Sequence, residues 1–125
     1  MVDIPKLVEH WRRGALEDWE VATDLVGRGR CRHGLFFAHL ALEKAVKTHV
    51  SLRTQDVPPK IHNLVRLCEL AGLEPSVEHA GILADMNTFS LAGRYPDSLP
   101  APVGQDEAQR LLTQAHEVLQ WLIAP

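Results

Sequence analysis

Apolar residues return every three or four positions in this chain, and that period decides what it can fold into. Val8, Trp11, Ala15, Trp19, Ala22 and Val26 mark one face over the first thirty residues. Ala108, Leu111, Ala115, Val118 and Leu122 mark another near the end, widened by Leu112 and Leu119. A period near 3.6 is that of an α-helix with one buried face. No segment alternates convincingly as a strand does.

Punctuation divides the chain into five helical segments. The first runs from about Asp3 to Val26, where Asp3 caps it and Pro5 falls in a first turn whose amides have no intrahelical partner. Gly27 and Gly29 end it. The second runs from about Gly34 to Arg53. The third follows "VPPK", covers "IHNLVRLCELA" and stops at Gly72, a residue suited to a left-handed cap. The fourth starts near Pro75 and ends in "SLAGRYP", where Gly93 and Pro96 argue for termination. An irregular loop over about 94–104, "YPDSLPAPVG" within it, leads to the last helix. There are no internal repeats and no low-complexity tracts. With 125 residues, 46% of them hydrophobic, the chain is expected to form one domain over 1–125. The expected architecture is an all-α, up-and-down helical bundle of four main helices plus a shorter one.

Charge and cysteine content exclude several classes. A net charge of −3 requires any nucleic-acid contact to use a local basic patch. Arg28, Arg30 and Arg32 form one group and Arg12–Arg13 another, and solvated helix ends account for both as well as a patch does. Cys31 and Cys68 form no metal spacing, which fits reduced thiols in the cytoplasm. "MVDIPKLVEHW" lacks the organisation of a secretion signal, and no apolar run has the length to span a bilayer. A cytoplasmic protein without membrane contact is expected. There is no P-loop, GxGxxG or HExxH. His39 and Glu43 stand four residues apart, but two ligands do not close a metal site. Neither a metal nor another cofactor is expected.

One stretch runs against the pattern. "HLALEKAVKTH", 39–49, has the apolar content of a buried helix yet carries Glu43, Lys44 and Lys47. His39, Glu43 and Lys47 are spaced i, i+4, i+8 and form one stripe. Glu43 precedes Lys47 by four residues, the favourable order for an ion pair. Either this is a solvated stripe with a weak surface pair, or it faces a groove or an interface.

Three stretches together, "HLALEKAVK" (39–47), "VPPKIHNLVRL" (57–67) and "LAGRYPD" (91–97), resemble the HEPN family, and "ALEDWEVATDLV" in the first helix extends the likeness over most of the chain. The resemblance implies a helical bundle that commonly forms a homodimer. It also implies a polar site that binds a nucleotide or RNA, and a minimal nucleotidyltransferase partner as in toxin–antitoxin pairs. Carried onto this sequence, the ligand-binding residues are Glu43, Lys44, Lys47, His62, Asn63, Arg94 and Tyr95. The lysines and Arg94 would serve phosphate, and Tyr95 offers a ring and a hydroxyl. Each has a structural reading beside this one. The lysines can face solvent, His62 can bond backbone at the start of the third segment, Arg94 can meet the carbonyl end of the fourth, and Tyr95 can pack on Pro96.

Many HEPN members are ribonucleases, marked by Arg, four to six residues, then His. No His follows Arg94 in that window. Arg28/His33, Arg32/His39 and Arg110/His116 match the spacing elsewhere, as coincidence allows in a chain with nine Arg and seven His. The catalytic candidates of a metal-independent ribonuclease are therefore His62 with Arg94, or Arg110 with His116. A third possibility is a helical interaction protein whose stripe is only an interface, with Trp11, Trp19 and Trp121 as candidate anchors.

Overall fold

A computed structural model of the chain describes residues 2–92 and 103–124, excepting the side chains of residues 91–92. The described residues form an all-α helical bundle without strands: α1 Ile4–Gly27, α2 Cys31–Thr54, α3 Leu64–Ala71, α4 Val77–Met86, α5 Thr88–Ala92 and α6 Gln105–Ile123. Arg94, Tyr95 and most of the expected loop lie outside the described residues. Residues 103–104 are non-helical, and Gly104 is the N-cap of α6.

α1 and α2 form the first pair, reversing through Arg28–Arg30 with Gly29 at φ +81°. They approach closely at Gly34, where a Cβ would collide with Val26 Cγ2 and stand 3.0 Å from the Ala22 carbonyl oxygen. α2 does not begin near Gly34 as expected. It begins at Cys31, and the glycine serves packing inside the helix. Gln105 ties this turn to α6: its Nε2 donates to the Val26 carbonyl at 2.7 Å, and its Oε1 accepts from Cys31 Sγ at 3.4 Å.

α2 is the axis of the molecule. It touches α1, α3, α5 and α6. A helix surrounded on several sides has no wide solvent face, so its buried residues span Cys31 to Ser51. Leu35, Leu42, Val46 and Val50 enter the core with Leu64, Leu67, Leu83, Met86, Val118 and Leu119. The far end of α6 is fixed by His49, whose Nε2–H donates to the Leu122 carbonyl at 2.6 Å.

Two boundaries differ from expectation because asparagines intervene. Residues 61–63 are not helical: Asn63 caps α3, its Oδ1 accepting from Val65 N at 3.0 Å and Arg66 N at 3.2 Å. The expected fourth helix is two, α4 and α5, meeting at Asn87. Gly72 closes α3 at φ +69°, and the Leu73 amide reaches back to the Cys68 carbonyl, completing a left-handed cap. Both cysteines are free and buried, and burial pushes the Cys68 thiol up to about 11.

Candidate functional site

The charged stripe of α2 is inside the protein. His39 is 0% exposed, Glu43 4% and Lys47 5%, so the solvated-stripe alternative does not hold. The reason is the position of α2: α3, its leading loop and α1 cover the face that an outer helix would have given to water. Buried charges are retained only with partners, and each has them. Lys47 Nζ donates to Glu43 Oε2 at 3.0 Å and stands 5.4 Å from the centre of the Trp11 ring, a cation–π contact from α1. The other carboxylate oxygen, Glu43 Oε1, accepts from His62 Nδ1 at 3.0 Å. His39 Nε2–H donates to the His62 carbonyl at 3.0 Å.

These bonds hold His62 by both side chain and backbone. Its own side chain is 43% exposed, so the network runs from a buried ion pair to an imidazole at the surface. Burial is the leading influence on His39 and holds its pKa below 6.5; the Glu43 carboxylate, the His62 carbonyl and the Asn87 amide oppose it, and His62 adds slightly to the lowering. The ring is therefore neutral at neutral pH.

Asn87 joins the next residues. Its Oδ1 accepts from Leu64 N at 2.9 Å and its Nδ2 donates to Asn63 Oδ1 at 3.2 Å. The start of α3 is thus fastened to the junction of α4 and α5, directly beside His62. Sequence reasoning missed Asn87. A usable signal was present, since asparagine inside a helical run competes for backbone bonds and favours caps and breaks.

The remaining candidates are placed as follows. Lys44 lies about 100° around α2 from Glu43 and pairs with Asp18 of α1 at 2.7 Å, a contact between helices that no spacing announces. Asn63 is exposed, with its side-chain oxygen engaged in the cap. Arg110 is exposed beside Glu107 at 3.7 Å, and exposed His116 stacks on Trp19 with centroids 5.4 Å apart. Arg110 and His116 stand six positions apart, roughly 9 Å along the axis and about 120° around it, so one chain does not bring them together. Arg28 pairs with Asp24 at 3.2 Å and Arg13 with Glu9 at 3.3 Å, both pairs exposed. Among the described residues no group of three His, Cys, Asp or Glu side chains could hold a metal, and no helix is long and apolar enough to cross a membrane.

Comparison with known proteins places the fold. A family model of the HEPN domain matches residues 8–124. Among solved structures, TT1696 from Thermus thermophilus is similar with a TM-score of 0.77 at 23% identity, over 92% of this chain and 94% of that one. ST0689, an archaeal HEPN homologue, is similar with a TM-score of 0.71 at 22% identity, over 92% and 93%. At these identities the likeness concerns the fold. No curated protein matches the sequence. With the family model spanning nearly all of the helices that build the His62 network, the chain belongs to the HEPN domain family.

Proposed function

We propose that this HEPN chain is a nucleotide- or RNA-binding module that acts as a cytoplasmic homodimer beside a minimal nucleotidyltransferase, in the manner of a toxin–antitoxin pair. The observation that carries the binding reading is the held imidazole: a buried carboxylate, anchored by Lys47 on one oxygen, presents His62 at the surface on the other. A group fixed in this way loses little freedom when it meets a ligand. It can serve a phosphate oxygen or the edge of a base.

In this reading the residues divide by task. Glu43 and Lys47 form the holding pair. His62 contacts the ligand, with Asn63 beside it and Lys44, partly exposed, supplying charge. Arg94 and Tyr95, two and three residues beyond α5, add phosphate and base contacts. The free, unpaired state of both cysteines supports a reducing compartment.

The same geometry favours one second reading. An exposed imidazole oriented by a carboxylate is the arrangement used for general acid–base chemistry, so His62 with Arg94 could cleave RNA without metal. End-labelled mixed RNA, incubated with purified protein with and without EDTA, separates the two. A mobility shift with intact RNA, weakened by salt and lost in His62→Ala or Arg94→Ala, is the expected result. Fragments formed in EDTA and abolished by His62→Ala would make the protein a ribonuclease. If neither a shift nor fragments form, RNA is not its ligand, and copurification with a neighbouring nucleotidyltransferase becomes the test of a purely interacting protein.

A further inference from the structure

Two imidazoles converge on one carboxylate oxygen. His62 Nδ1 lies 3.0 Å from Glu43 Oε1, and His39 Nδ1 lies 3.8 Å from the same atom. Lys47 holds the other oxygen, so the carboxylate is not free to turn and serve each ring with a separate oxygen. His39 also grips His62 through its backbone, since His39 Nε2–H donates to the His62 carbonyl. That bond fixes the proton of neutral His39 on Nε2 and leaves Nδ1 a bare acceptor. Nδ1 is buried, makes no hydrogen bond among the described residues, and faces the carboxylate oxygen, another acceptor. Two acceptors do not bond. A proton added at Nδ1 turns the same pair into a donor and a carboxylate.

The groups facing His39 come from three places in the fold: Glu43 one turn along α2, His62 ahead of α3, and Asn87 between α4 and α5. Lys47 acts on it through Glu43. Desolvation favours the neutral ring and lowers its pKa from the ordinary 6.5, and Glu43 is the strongest of the groups that favour its protonation.

We propose that His39 is a positioning residue for His62, which in its neutral form fixes the His62 backbone so that the imidazole meets Glu43, and in its protonated form competes with that imidazole as a second donor to Glu43 Oε1. The consequence for binding rests on the reading of His62 as the ligand-facing group; the positioning does not. The device makes the site sensitive to acid through a residue that touches no ligand.

Histidine side-chain 15N–1H NMR on the full chain, over roughly pH 4 to 8, tests it. In the wild type His62 is expected to carry its proton on Nδ1 when neutral. On acidification its Nδ1–H signal should change as His39 takes up its proton. His39→Gln keeps a donor for the His62 carbonyl but cannot titrate, so the Nδ1–H form is retained and that change is lost. His39→Leu removes the grip, and His62 should lose its Nδ1–H preference. A wild-type His62 signal that does not follow the His39 step, or a change that survives His39→Gln, overturns the proposal. If His39→Leu does not fold, the wild type and His39→Gln decide alone. RNA mobility shifts at the same pH values keep the two readings apart. Affinity that falls with the His39 step in the wild type and not in His39→Gln supports both. No RNA binding at any pH overturns the binding reading while the NMR result still decides the positioning.

Discussion

Glu43 is the residue on which the most depends. It is buried and bonds Lys47 and His62 with different oxygens. Glu43→Gln preserves its shape but leaves the Lys47 ammonium buried without a counter-charge. Urea unfolding is expected to show a loss of about 3–5 kcal/mol, the range for breaking a buried pair from one side. Glu43→Gln combined with Lys47→Met should lose less than the sum of the single changes, because the second removes the uncompensated charge. His39 gives the acid limb of stability a definite sign. Its folded pKa lies below the ordinary 6.5, so between the two values the unfolded chain binds more protons. The contribution of His39 is complete above about pH 6.5 and is lost as the pH falls through the lower folded value. Thermal melts should therefore fall on acidification below that point, and His39→Gln should flatten this part of the profile.

At the scale of elements, the joints are specified by small residues and amides. Gly34→Ala would raise helix propensity by about 1 kcal/mol, yet its Cβ meets Val26 and the Ala22 carbonyl across the α1–α2 contact. Overpacking of this kind costs about 1–3 kcal/mol, so denaturant titration is expected to show net destabilisation. Asn63→Ala removes the acceptor for two α3 amides and for Asn87. It should cost about 1–2 kcal/mol and raise amide exchange at Val65 and Arg66 before the rest of the core. Serine at position 63 should restore most of the loss, because it can cap the helix.

For the whole molecule, the bundle makes α2 central, and this position turns a sequence stripe into a buried network that reaches the surface at His62. If the chain acts as a dimer, sedimentation at micromolar concentration should give about twice the 14.0 kDa of one chain. RNA affinity, where present, should fall steeply with salt if the exposed donors of the site meet phosphate. Dimer mass that persists in His62→Ala, with RNA affinity lost, would separate assembly from binding.

The outer helices could be read directly. α1 and α6 have one wet face each, so their apolar residues repeat at the helical period, and Gly29, Gly72 and Asp3 mark their ends or those of neighbours by local backbone chemistry. The quoted motifs around Glu43, His62 and Arg94 also identified the family. The state of the charges was not legible. Whether His39, Glu43 and Lys47 face water depends on what packs against α2, and those partners lie on α1, the loop before α3 and the α4–α5 junction. Asp18 with Lys44, Trp11 over Lys47 and Asn87 with Asn63 are likewise pairings between elements. Periodicity records which side of a helix avoids water only when one side is wet. For a helix enclosed by its neighbours, burial and partner choice are properties of the assembled bundle, and the tertiary structure decided them.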